Sequence, residues 1–116
     1  MKKYCDIEKF NNYYLLKFND NLNIENGKFV KKQLEEILDI KDSNIIVDFS
    51  NVYYMDSNGL GIIITLIQKA RHFNNKLIFI NINSMIKNIL KITKVINLML
   101  ILDTIEEAKR YSKTAI

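Results

Sequence analysis

The chain has 116 residues, 48% of them hydrophobic and 26% charged, an ordinary globular composition that argues against disorder. One cysteine and one histidine leave no internal disulfide and no metal cluster of the usual ligands, and they suit a reducing cytoplasm. The net charge of +4 comes from lysines spread along the sequence rather than gathered beside a base-reading motif, so no direct nucleic-acid partner is expected.

Length predicts one domain over residues 1–116, large enough to bury a core. Its opening, Met1-Lys2-Lys3-Tyr4-Cys5-Asp6, lacks the apolar centre of a signal peptide. No apolar run approaches the roughly 20 residues of a membrane span. A cytoplasmic protein without a membrane partner is the expectation.

Tyr4 to Phe10 and Tyr13 to Phe18 read as a hairpin joined by Asn11-Asn12, the second strand being the more buried. Asp20-Asn21-Leu22-Asn23 ends that strand and supplies capping chemistry. From Ile24, apolar residues recur at Val30, Leu34, Ile37 and Leu38, which predicts a helix closed by Lys41-Asp42-Ser43-Asn44, with Gly27 weakening its first turn. Ile45 to Phe49 is a short β-branched run and predicts a buried strand.

Leu60 to Phe73 is ambiguous in pattern, because Ile62-Ile63-Ile64-Thr65-Leu66-Ile67 is β-branched. Length favours a helix, with Leu60, Ile63, Ile64, Ile67 and Ala70 on one stripe. Ile62 and Leu66 then fall on its flank, and the pattern leaves open whether they are covered. Lys76 to Ile80 predicts a strand. Ser84 to Thr93 predicts a helix capped by Ser84 or Asn83, with Ile86, Ile89, Leu90 and Thr93 inward. Leu98 to Leu102 predicts a last strand. Asp103-Thr104 caps a final helix through Tyr111, with Ile105, Ala108 and Tyr111 facing in. The order β-β-α-β-α-β-α-β-α implies an α/β fold, a mixed sheet flanked by helices.

The chemistry-bearing stretch is Met55-Asp56-Ser57-Asn58-Gly59-Leu60-Gly61, between the central strand and the helix after it. It places Ser57 at or beside the first unpaired N–H groups of that helix, where negative charge is tolerated. Enzyme readings fail on composition. Gly59-Leu60-Gly61 lacks the Gly-Lys-Ser/Thr ending of a phosphate loop and the third glycine of a dinucleotide site. Ser57 has no base in reach, since His72 lies fifteen residues on. Asp48 is expected to cap or pair near its strand end. No cofactor and no metal are expected.

Val47-Asp48-Phe49-Ser50-Asn51-Val52-Tyr53-Tyr54-Met55-Asp56-Ser57-Asn58-Gly59-Leu60-Gly61 resembles the signature of STAS domains of the anti-sigma-factor antagonist family. In that family a strand ends in Asp-x-Ser/Thr-x-Val, and Met-Asp-Ser-Ser/Thr-Gly-Leu-Gly then opens a helix. The element order read above is also the family's. The resemblance implies that Ser57 is phosphorylated by an anti-sigma factor with serine-kinase activity, and that a PP2C-type serine phosphatase reverses the step. It further implies a docking surface of Asp56, Ser57, Asn58, Gly59, Leu60, Gly61, Ile62 and Asn23. The unphosphorylated form would bind the anti-sigma factor and free the sigma factor, phosphorylation of Ser57 releasing the partner; a non-switching STAS scaffold or regulatory subunit of a larger complex is the alternative. Three stretches depart from the pattern. Asn58 replaces a Ser or Thr, Asp20-Asn21-Leu22-Asn23 replaces Gly-x-Leu-Asp, and Thr93-Lys94-Val95 stands where Ser/Thr-Gly-Leu is common.

Overall fold

The structure is a computed structural model that describes residues 2–37 and 39–114. The strands are β1 (Cys5–Lys9), β2 (Tyr14–Phe18), β3 (Asn44–Asp48), β4 (Lys76–Ile80) and β5 (Leu100–Leu102). The helices are α1 (Gly27–Ile37), α2 (Ser57–His72), α3 (Ser84–Ile92) and α4 (Ile105–Thr114), with a single 3-10 turn at Val95–Leu98. This is the expected α/β order. The expected limits at residues 1 and 116 lie outside the described residues, as does Leu38. The side chain of Ile37 is likewise outside them.

The strands lie side by side in sequence order, β1 antiparallel to β2 and every later pair parallel. Each parallel crossover therefore steps one strand in the same direction. Right-handed crossovers of that kind put their helices on one face. Val30 and Leu34 of α1, Ile63 and Ile67 of α2, and Ile86 and Leu90 of α3 accordingly share one core with Leu16, Phe18, Val47 and Phe79. Helix α4 covers the opposite face, where Ala108, Ile105 and Tyr111 pack on Ile46, Ile78 and Ile80. The period of two along β3 and β4 divides their apolar side chains between these cores. Cys5 is buried, which pushes its thiol up to about 11 and leaves it a packing residue.

Four expectations are corrected. Helix α1 begins at Gly27, not Ile24, because Asn23 closes a turn first, its Oδ1 accepting from the N–H groups of Glu25 and Asn26 at 3.0 and 3.1 Å. Ile24 thus leaves the apolar stripe and is 72% exposed. Helix α2 begins at Ser57, three residues before Leu60, because its cap lies further upstream. The last strand starts at Leu100, since Val95 to Leu98 is wound into the 3-10 turn and Leu98 faces solvent. Thr93, expected on the inner face of α3, is exposed at its C-terminal end, whereas Asn83, one of the two caps offered, does cap the helix by accepting from the Ile86 N–H.

The residue joining α3 to the 3-10 turn is Lys94, at φ 62° and ψ 8°. A side chain in this left-handed region costs roughly 1–2 kcal/mol, which glycine avoids. The departure from glycine noted at this position is therefore a strained one. We expect Lys94→Gly to raise stability by about 1 kcal/mol in urea unfolding, net of glycine's larger unfolded-state entropy.

Candidate functional site

Strands β2, β3 and β4 run parallel, so the loops leaving them gather at one end of the sheet. Hydrogen bonds stitch these loops together. Leu22 and Met55 form a parallel bridge, with Leu22 N–H donating to the Tyr54 carbonyl at 3.3 Å and Asp56 N–H to the Leu22 carbonyl at 3.2 Å. Asn21 Oδ1 accepts from the N–H groups of Tyr53 and Tyr54 at 2.8 and 3.0 Å. Asn83 Nδ2 donates to the Tyr53 carbonyl at 3.2 Å. Asp48, at the end of β3, accepts from Ser50 N–H and from the Asn81 amide, the local pairing expected for it.

Asp56 stands at the centre. It is the N-cap of α2: Oδ1 accepts from Asn58 N–H at 2.8 Å and Gly59 N–H at 3.3 Å. Its other oxygen, Oδ2, accepts from Ile24 N–H at 3.0 Å, in the neighbouring loop. Desolvation pushes its pKa up, but the backbone N–H groups of Ile24, Gly59 and Asn58 outweigh that and hold it below the usual carboxylate value. The first-turn donors at Asn58 and Gly59 thus already serve a carboxylate. The positive helix end that the sequence offers to a phosphate is in large part taken.

Ser57 is the first residue of α2, and it is exposed. Among the described residues its hydroxyl has no hydrogen-bond partner. The capping role open to a serine before a helix belongs instead to Asp56. Asn58 is exposed beside it, and Leu60 and Gly61 are half-buried. Asn23 is half-buried too, and its side chain closes the turn before α1.

Two glycines here do different work. At Gly59, which is buried, a Cβ would stand 2.8 Å from Met55 Cβ and 2.9 Å from Leu22 Cβ, and closer still to the Leu22 carbonyl oxygen. The loop carrying Leu22 can close on α2 only because that atom is missing. At Gly61 a Cβ would meet nothing within 4 Å.

Ile62 is a correction: at 1% exposure it lies in the core, so it is off any surface that another molecule could touch. Helix α2 is flanked by α1 as well as by the sheet, and Ile62 and Leu66 share a groove with Leu34. Three exposed apolar side chains that sequence reasoning missed surround the turn: Ile24, Tyr53 at 68% exposure and Tyr54 at 48%. Adjacent aromatics in a short loop were the available signal.

A five-stranded sheet with one antiparallel edge, three helices on one face and an acid-capped serine turn at the carboxyl ends of its strands is the STAS architecture. The chain belongs to the STAS domain family, whose model matches residues 4–108, and within it to the anti-sigma-factor antagonists. A relative from Thermotoga neapolitana, assigned by name as an anti-sigma factor antagonist and TM1081 homolog, is 31% identical over 91 residues, 78% of this chain and 80% of its own. The crystal structure of TM1081 from Thermotoga maritima superposes with a TM-score of 0.84 at 25% identity, covering 94% of both chains. The Bacillus cell-fate determinant SpoIIAA in its phosphorylated form superposes with a TM-score of 0.66 over 91% of this chain and 96% of its own. At 15% identity that last likeness is one of fold.

These contacts predict opposite outcomes for the two glycines. Gly59→Ala should lower stability by about 1–3 kcal/mol through overpacking. Gly61→Ala should raise it by about 0.5–1 kcal/mol, since alanine replaces a helical glycine in open space. Urea unfolding of both variants checks this. Asp56→Asn keeps a capping oxygen but removes the charge. The folded-state pKa of Asp56 lies below 3.8, so its stabilisation is present at neutral pH and fades as pH falls through that folded value. Wild type should therefore unfold at higher urea than Asp56→Asn near pH 7, and the gap should narrow as the pH falls below the usual carboxylate value.

Proposed function

We propose that this chain is an anti-sigma factor antagonist that switches partners through Ser57. The observation that carries the reading is the division of labour at the turn. Asp56 performs the cap, and the adjacent Ser57 hydroxyl is left exposed with no structural task. A side chain so placed is accessible to a kinase, and modifying it breaks no internal bond.

The unmodified surface suits a protein partner. Ile24, Tyr53 and Tyr54 supply apolar contact around a polar centre of Asp56, Ser57 and Asn58. Gly61 adds to this. A helical glycine costs roughly 0.5–1 kcal/mol relative to alanine, and among the described residues nothing stands within 4 Å of where its Cβ would lie. Close approach of a partner's backbone gives it a reason.

The partner is an anti-sigma factor with serine-kinase activity. Docked on this face, it transfers the γ-phosphoryl group of ATP to Ser57 Oγ; ADP departs and the hydroxyl proton passes to a base of the kinase. The product carries about −1.5 to −2 charges at neutral pH. Asp56 already holds the N–H groups of Asn58 and Gly59, so that charge is directed outward, against the partner. Two like charges 4 Å apart near a protein surface repel by about 4 kcal/mol before screening, and each 1.4 kcal/mol is tenfold in affinity. A fraction of that repulsion ends a micromolar complex. A PP2C-type phosphatase then returns the hydroxyl by hydrolysis. The sigma factor is freed while the unmodified antagonist holds its inhibitor.

The test is binding to the kinase-type anti-sigma factor encoded by the same genome. Ser57→Ala should bind as tightly as wild type and resist phosphorylation. Ser57→Asp should bind at least about tenfold more weakly. Gly61→Ala should weaken binding while stabilising the free protein. Equal binding by wild type and Ser57→Asp would overturn the switch.

A further inference from the structure

At the end of the sheet away from Ser57, a cleft of about 250 Å³ opens between the last turns of α2, the starts of β4 and β5, and α4. Its apolar lining comes from Ile67, Leu77, Leu98 and Leu100. Leu98 is 51% exposed there, an apolar side chain with solvent on one side. Arg71 and Lys76 stand among the lining residues, and no aspartate or glutamate does. Among the described residues neither cation has a carboxylate within ion-pair distance. Lys76 Nζ instead lies 5.8 Å from the ring centroid of Tyr111, which also lines the cleft.

We infer that this cleft binds a small amphiphilic monocarboxylate, its tail on the leucines and its carboxylate between Arg71 and Lys76. Each part of the ligand follows from a part of the cleft. The apolar lining selects a hydrocarbon or aromatic body. An arginine fork donates two parallel N–H bonds to a carboxylate, and the lysine adds a second positive charge. The volume lies below the usual range for ligand sites, which favours a short tail, on the order of eight carbons. Arg71 and Lys76 are also well placed energetically. Both are exposed, so a ligand pairs with them at the mouth without a buried charge having to be created. The site lies on α2, the helix that begins at Ser57, but the inference does not depend on the phosphorylation reading.

The experiment is a nitrogen-15 NMR titration of the full chain with octanoate, kept below its micellar range, alongside octanol and acetate. Octanoate should give saturable shifts at roughly millimolar concentration or below, centred on Ile67, Arg71, Leu77, Leu98 and Leu100. Octanol lacks the charge and acetate lacks the tail, so each should bind at least about tenfold more weakly. Arg71→Gln and Lys76→Gln should weaken octanoate several-fold with unchanged thermal melts, because both side chains lie at the surface. Shifts scattered over the surface, equal binding of octanol, or unaltered affinity in both variants would each overturn the assignment.

Discussion

Three backbone N–H groups, from a helix start and from a separate loop, converge on the Asp56 carboxylate. Two belong to the first turn of α2, and the third belongs to Ile24, more than thirty residues earlier in the sequence. One side chain thereby starts the central helix and fastens the loop after β2 to it. The rest of the functional end depends on that junction. Leu22 bridges to Met55, Gly59 lets the backbones close, and Asn21 fixes the adjacent tyrosines. The three loops form one surface because the polar backbone groups of each are satisfied by its neighbours.

This arrangement also explains why a modification at Ser57 would act locally. The serine is next to the anchoring carboxylate but carries none of the anchoring bonds. Adding charge there alters what a partner meets without disturbing Leu22, Met55 or Gly59. The carboxylate also keeps first-turn donors occupied, so a new anion gains little from within the chain. Under the proposed switch, structural and signalling duties would fall on neighbouring residues, one fixed and one free.

Much of the fold was legible because its signals are periodic. The nearly continuous apolar run in β2, the β-branched run in β3 and the helical stripes of α3 and α4 each match their elements closely. The misses arise where tertiary context decides. Ile24 fits a helical spacing, yet Asn23 closes a turn before the helix can include it. Ile62 and Leu66 lie off the stripe facing the sheet, but α1 covers that flank, and a helix buried on two sides has no single apolar face. Leu98 looks like strand, and the left-handed residue Lys94 winds the chain into a 3-10 turn instead. At the candidate site the motif pointed to the turn that opens α2. It did not separate Asp56 from Ser57 as the cap, since both residue types serve that role and only the hydrogen bonds distinguish them.

The central claim is that Ser57 is the modified residue of a partner switch. Phosphopeptide mass spectrometry on protein drawn from its own cells, during growth and after stress, tests it most directly. The account predicts phosphate on Ser57 in one state and a marked fall in its occupancy in the other. Ser57 unmodified in every condition, in a protein still held in a stable complex, would contradict it.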